Sequence, residues 1–392
     1  MEYGGARGNV RLSACILSGD DPRDLTAALA SLGDVADETV VVVNDDDRSA
    51  AARAAAVTAG CRVVAIRWSD DFAAARNAGL DAARGDWVFW LDTDERLLTP
   101  DRGLFHRLTD TASVLGYLID IDDDAGVGAP PRTPRVHWSL YRRREDVRYT
   151  GRIHEHFDPD LPARAVGARM TTAVAAGIRI HHHGYSVGRD PQRLTRNVRL
   201  LELELRDRPG QLYYLTELGR SLLLLGDSRG HELMAEAAWI IEAQAAAPGP
   251  PSSLAAAVLE YALVRAGPSG AGPLTGVLAA DLAARWFWNH PPVLWQAARW
   301  HYQRGDFVRA AAFAARVLDL GRTGTYDRDV GFDARVFGDE TRLNLGACLA
   351  RCGDLAGARA AFESVSPTGP FAAAAVANLR RLVLPAVSLG LM

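Results

Sequence analysis

The sequence predicts an α/β fold, an open and mostly parallel sheet flanked by helices, followed by an all-α half. Three observations predict it. From Leu12 to about Asp124, short apolar runs alternate with alanine-rich helical stretches. One run, Trp87-Val88-Phe89-Trp90-Leu91, ends directly in Asp92-Thr93-Asp94. After about Gly188 the strand pattern stops and helical periodicity takes over. The expected division is 1–187 for the sheet domain and 188–392 for the helical domain.

Leu12–Leu17 reads as the first strand and Asp24–Leu32 as the helix behind it. Glu38–Val43, Arg62–Arg67 and Trp87–Leu91 read as further strands. Ser49–Ala59 and Phe72–Ala83 are the intervening helices. Three β-α units in succession imply a parallel sheet covered on both faces. No Gly-x-Gly-x-x-Gly follows the first strand, which disfavours a dehydrogenase-type dinucleotide fold. Gly116–Ile121 and Val136–Tyr141 read as later strands, with a loop rich in Asp, Gly and Pro over Asp122–Pro134.

Strands of such sheets present ligands at their carboxyl ends. Asp92 and Asp94 stand at one such end. Two hard oxygen ligands suit Mg²⁺ or Mn²⁺, which complete their shells with phosphate oxygens and water. The chemistry implied is a metal-held diphosphate leaving group. One helix earlier, Asp71 fits an N-cap, and Arg76 and Asn77 are placed toward the ligand edge or its neighbouring loop.

The helical half repeats itself. Gly219, Ala298 and Gly346 are each followed seven residues later by Gly-Asp, at Gly226-Asp227, Gly305-Asp306 and Gly353-Asp354. Gly in the turn permits a left-handed cap, and small residues let paired helices approach. Leu345-Gly346…Gly353-Asp354…Ala358…Ala361-Phe362 resembles a tetratricopeptide helix pair, and Trp295…Tyr302…Gly305-Asp306…Ala310…Phe313 resembles another. Such pairs stack into a solenoid with a concave face. Trp286, Trp288, Trp295, Trp300 and Tyr302 cluster there, as core or as groove lining.

The chain has 392 residues and a formal net charge of −4, with no lysine. Nothing in that balance points to nucleic acid. Cys348 and Cys352 have helical spacing with no second pair nearby, so the four cysteines are expected to be buried, reduced thiols rather than a zinc site. No apolar stretch reaches membrane-spanning length, and the N-terminal residues do not read as a signal-peptide h-region after a basic start. A cytoplasmic protein is expected.

Longer motifs make the reading specific. Asp71-Phe72-Ala73-Ala74-Ala75-Arg76-Asn77, followed by Gly85-Asp86-Trp87-Val88-Phe89-Trp90-Leu91-Asp92-Thr93-Asp94-Glu95, closely resembles family 2 glycosyltransferases of the GT-A fold. The branch most resembled carries tetratricopeptide helices behind the catalytic domain and includes sublancin-type peptide S-glycosyltransferases. Tyr149-Thr150-Gly151-Arg152-Ile153-His154-Glu155 resembles the family's Gly-x-Ile-His-Glu stretch, and Ile180-His181-His182-His183-Gly184-Tyr185 its His-x-Gly-Tyr stretch.

The resemblance implies an inverting, metal-dependent transfer from a nucleotide-sugar, a UDP-sugar by default, to a peptide or protein Cys, Ser or Thr, or to a small molecule. Asp92, Asp94 and His182 are the implied metal set. Asn44, Asp45, Asp71, Arg76, Asn77, Asp92 and Thr93 are the implied donor contacts. Glu155 is the candidate base beside His154, with Asp122, Asp123 and Asp124 as rivals, and Asp94 completes the catalytic group. On a strand, His181 and His183 share one face and His182 the other.

Two loops depart from the family pattern. Ser18-Gly19-Asp20-Asp21 stands where Lys-Asn-Glu is usual, and Asn44-Asp45-Asp46-Asp47-Arg48-Ser49 where Asp-Thr-Gly-Ser-x-Asp is usual. Both hold the nucleoside in such enzymes, so the base is left open. The departures also admit a catalytically degenerate scaffold. A nucleotidyltransferase is disfavoured by the lack of a Gly-rich phosphate loop. The helical domain is expected to bind the acceptor or to form a homodimer.

Overall fold

The computed structural model describes residues 11–126, 128–183, 191–265 and 274–383. Gly184 and Tyr185 of the histidine stretch, and most of the expected Gly267–Gly276 loop, lie outside the described residues. The chain divides into two compact units, Met1–Glu204 with Arg328–Gly331, and Leu205–Asp327 with Phe332–Met392.

In the first unit, Leu12–Leu17 (β1), Pro22–Leu32 (α1), Glu38–Asn44 (β2), Ala50–Thr58 (α2), Arg62–Ile66 (β3), Phe72–Ala82 (α3) and Trp87–Trp90 (β4) follow the expected alternation. Next come Glu95–Leu97 (β5), Arg102–Thr109 (α4), Val114–Asp123 (β6), Arg135–Arg142 (β7), Tyr149–Thr150 (β8), His156–Phe157 (β9), Leu161–Gly167 (α5) and Thr171–His182 (β10). The eight-stranded sheet has the order β3-β2-β1-β4-β7-β6-β10-β5, and β8 pairs with β9 separately. Parallel pairings join β1 to β2, β2 to β3, β1 to β4 and β6 to β10. β7 runs antiparallel between β4 and β6, and β5 antiparallel beside β10, so the sheet is mixed.

β4 is buried along its whole length. Trp87, Phe89 and Leu91 pack into the core on one face of the sheet, and Val88 and Trp90 into the core on the other. A strand covered on both faces has no polar alternation, which is why its sequence is one apolar run. Asp21, Asp71, Asp101 and Asp160 cap α1, α3, α4 and α5, each accepting from a backbone amide of the first turn. Such caps satisfy donors that the helix itself leaves unpaired.

Helix Pro191–Asp207 (α6) spans the division at Glu204. The second unit contains Leu212–Leu224 (α7), Arg229–Ala243 (α8), Ala255–Arg265 (α9), Gly276–Trp286 (α10), Pro291–Gln303 (α11), Phe307–Thr323 (α12), Asp339–Arg351 (α13), Leu355–Glu363 (α14) and Ala372–Val383 (α15). The turns α7-α8, α11-α12 and α13-α14 each contain one of the repeated glycines, at φ of 77°, 77° and 85° for Gly226, Gly305 and Gly353. That left-handed conformation suits glycine. Trp286 and Trp300 are in the helical core, while Trp295 and Tyr302 are partly buried and Trp288 is exposed. Cys15 and Cys348 are buried, but Cys352 is exposed, because it closes α13 at its C-cap. No helix among the described residues is long and apolar enough to cross a membrane.

Candidate functional site

The strand order reverses at β1. From β1 the chain builds β2 and β3 outward on one side, then places β4 on the other. Such a reversal opens a crevice at the carboxyl ends of the strands. Asp92 and Asp94 follow β4 at that point. β7 runs the opposite way, so its first residues, Arg135, His137 and Ser139, come to the same edge. The carboxyl ends of β6 and β10, with Asp123 and His182 paired in register, complete it.

Arg76 is the hub. It lies on α3, is 8 % exposed, and its guanidinium sits 4.9 Å from the Trp90 ring centroid. Nη2 donates to Asp92 at 3.1 Å, and Nε donates to Glu155 Oε1. Burial disfavours its charge, but Asp92 and Glu155 outweigh that and hold its pKa well above the ordinary value. Next to it, Asn77 donates to the Tyr149 carbonyl and accepts from the Tyr149 amide. The α3 helix therefore fixes the segment leading to Glu155. His154, just before it, has φ of 53°.

Asp94, His182 and Asp123 form a second charged group. His182 Nδ1 lies 2.8 Å from Asp123 Oδ1, and Nε2 lies 3.3 Å from Asp94 Oδ2. Burial lowers the His182 pKa, but the bonds to Asp123 and Asp94 outweigh it and raise it to about 9. Burial likewise opposes ionisation of Asp94, and His182 and Arg193 hold its carboxyl below the usual range. Arg193 Nη2 is 3.6 Å from Asp94, and Arg135 Nε donates to Asp123 at 3.0 Å.

A divalent cation could be held here only in place of the proton that His182 keeps on Nε2 toward Asp94. The carboxylate of Asp123 orients His182 through Nδ1, so Nε2 and Asp94 Oδ2 are directed at one place. Carboxylate oxygen with one imidazole suits Mn²⁺ or Mg²⁺ better than a thiolate-preferring metal. Asp92 is instead paired with Arg76.

Glu95, buried directly behind Asp92, accepts from the Asp92 amide at 3.0 Å. Burial and the Asp92 charge push its carboxyl up to about 7. Arg76, Trp90, Asp92, Glu95, Arg135, His137, Ser139 and His182 line a cavity of about 100 Å³.

The structure thus gathers Arg76, Asp92 and Glu155 in one cluster, and Asp94 and His182 in another. The nucleoside-side residues are engaged by neighbouring protein groups. Asn44 donates to Asp46 at 2.5 Å and accepts from the Trp68 amide at 3.0 Å. Asp45 pairs with Arg53, and Asp71 Oδ1 serves as the α3 cap. The Thr93 carbonyl accepts from Arg96. Arg193, Arg135 and Glu95 were not among the candidates. Glu95 stands next to Asp94 in the motif, but nothing local marks either arginine.

The sequence model of glycosyl transferase family 2 matches residues 20–157. A TPR repeat-containing protein of Synechococcus elongatus is 32% identical over 222 residues, 55% of this chain and 53% of its own length. The SPbeta prophage-derived glycosyltransferase SunS of Bacillus subtilis is 24% identical over 167 residues, 41% of this chain and 36% of its own. The chain thus spans about half, or less, of the curated relatives it matches. Among solved structures, residues 1–349 of S. aureus TarS superpose with a TM-score of 0.36 and 13% identity over 81% of this chain and 92% of that one. The chain carries a family 2 glycosyltransferase domain followed by a helical region.

Proposed function

We propose that this family 2 glycosyltransferase domain moves a sugar from a nucleoside-diphosphate donor, a UDP-sugar by default, to an acceptor with inversion at the anomeric carbon. The acceptor class proposed is a peptide or protein Cys, Ser or Thr side chain, or a small molecule. One observation carries the reading: a buried arginine held between Asp92 and Glu155, beside Asp94 and a histidine oriented by Asp123.

Asp94 and His182 would hold Mg²⁺ or Mn²⁺, which when bound neutralises charge on the departing diphosphate. Arg76 adds a fixed cation at the same edge, and being positioned beforehand it needs no reorganisation as charge develops. Asp92 keeps Arg76 aimed and is proposed to contact the ribose. Glu155 gives Oε1 to Arg76 and is proposed to take the acceptor's proton through Oε2. The proton goes to the carboxylate, the acceptor atom bonds to the anomeric carbon, and the sugar–phosphate bond breaks. A cavity of about 100 Å³ is below the ~300–1,000 Å³ of sites that enclose a whole ligand. Only part of a nucleotide-sugar would be enclosed there. The helical region is proposed to select the acceptor or to form a homodimer.

A second reading is a non-catalytic binding scaffold. It is favoured by Asn44 and Asp45, whose polar groups are engaged by Asp46, Trp68 and Arg53. Calorimetric titration of UDP, GDP and dTDP, with Mn²⁺ and with chelator, separates the two. The enzyme reading expects metal-dependent binding of one nucleotide, lost in Asp94→Asn. Binding of none under any condition sinks it in favour of the scaffold.

A further inference from the structure

We propose that Asp124, His181 and His183 form a second cation site, one that takes a borderline transition metal such as Zn²⁺ or Co²⁺. It lies outside the Asp94–His182 pair and does not rest on the transfer reaction.

Side chains alternate along a strand, so His181 and His183 project to the face opposite His182. The parallel register of β6 and β10 sets His181 beside Asp122 and His182 beside Asp123. One residue on, the Asp124 amide donates to the His182 carbonyl at 2.9 Å, and the His183 amide donates to the Asp94 carbonyl at 2.8 Å. The backbone of both residues is therefore fixed where the two strands end. Asp124 Oδ1 also accepts from the Gly126 amide at 2.9 Å, which orients the carboxylate.

The result is a compact donor set. The His181 and His183 rings lie 4.2 Å apart between centroids, edge to face. One ligand atom each from Asp124, His181 and His183 can be chosen so that all lie within 4.8 Å of one another. Two ligands that each sit about 2.1 Å from one ion are at most roughly 4.2 Å apart. In a tetrahedral shell they stand roughly 3.4 Å apart, so binding would draw the three side chains together. All three residues are partly buried, so they are reachable without being fully solvated.

The donor chemistry separates this site from its neighbour. Two imidazoles and one carboxylate suit zinc, cobalt, nickel or iron, whereas Mg²⁺ prefers oxygen ligands and water. Three protein ligands leave a position open for water or another donor. An ion here would also tie the end of β6 to the end of β10, the two strands that present Asp123 and His182.

The test uses the full chain without an affinity tag, stripped with chelator and titrated with Co²⁺ while its d–d absorption is followed. One saturable Co²⁺ site is expected, displaced by Zn²⁺ and unaffected by excess Mg²⁺. It is expected to persist in Asp94→Asn and to weaken at least tenfold in His183→Ala and in Asp124→Asn, two variants checked for folding by circular dichroism. No saturable binding, displacement by Mg²⁺, or undiminished binding in both variants overturns the site. Loss in Asp94→Asn with retention in His183→Ala overturns it as well, by assigning the ion to the Asp94–His182 pair.

Discussion

Asn77 and Tyr149 exchange two hydrogen bonds across 72 residues of chain, the side-chain amide donating at 2.9 Å and accepting at 3.0 Å. An asparagine has both a donor and an acceptor on one planar group, so it can mimic a second strand neighbour for a backbone that β9 pairs on one edge. The partner strand, β8, is only two residues long and needs that support. Helix α3 thereby positions both Arg76 and the segment that brings Glu155 to it.

Asn77→Ala is therefore expected to loosen the Glu155 segment without touching the cluster directly. It strands a backbone amide and a carbonyl in a half-buried place, a loss of roughly 1–3 kcal/mol. A lower thermal midpoint, with slower sugar transfer or weaker nucleotide binding, is the expected result. An unchanged midpoint would mean that water or neighbouring backbone replaces the clamp.

Arg76→Lys tests the geometry of the cluster rather than its charge. A lysine ammonium is a compact point charge and cannot donate to Asp92 and Glu155 in one planar fork. The Glu155 side chain is 13% exposed, so a lost partner leaves a carboxylate with little water to replace it. Charge-assisted hydrogen bonds contribute roughly 1.5–3 kcal/mol each, so metal-dependent nucleotide binding is expected to weaken by about tenfold or more. Calorimetry reads the outcome, and binding equal to that of the unaltered protein would remove Arg76 from the site.

These contacts mark the reach of the sequence. The apolar β4 run, the Asp-x-Asp behind it, the Asp71 cap and the Gly-Asp turns are local features, legible because each meets its requirement within a few residues. β5 has three residues and exists because β10 pairs with it. β10 carries no clean alternation, since its register shifts between Val174 and Arg179, around Gly177 at φ of 91°. The Asp123–His182 bond spans 59 residues, and the aim of Arg193 at Asp94 depends on where α6 begins. Asn44 shows what residue type alone does not tell: its side chain donates to Asp46 and accepts from the Trp68 amide, partners that lie in two different loops.

In the helical unit, Glu260 on α9 carries a pH dependence of its own. Burial pushes its carboxyl up to about 7, with only Arg220 opposing, and Arg220 already donates to Glu217 at 3.0 Å. The folded state therefore holds its proton to higher pH than the unfolded chain, whose value is near 4.5. Stability from this group is complete below that value and is lost as pH rises through about 7. Glu260→Gln is expected to raise the melting midpoint at pH 8 and to leave it nearly unchanged at pH 4. Equal shifts at both pH values would assign the effect to packing instead.

Gly346→Ala sets two effects against each other. In a helix interior the change ordinarily gains up to about 1 kcal/mol, because alanine has less backbone freedom to lose. At this position a Cβ would stand 2.5 Å from Phe362 Cε1 and 2.6 Å from its Cδ1. Phe362 is 1 % exposed and packs against Ala347, Ala350 and Ala358, so its ring has no open side to move into. Overpacking of this kind costs roughly 1–3 kcal/mol, which outweighs the helical gain. The substitution is expected to lower the midpoint of the helical unit, and pairing it with Phe362→Leu is expected to restore part of the loss. A single Gly346→Ala variant more stable than the parent would show that α13 and α14 do not pack this closely.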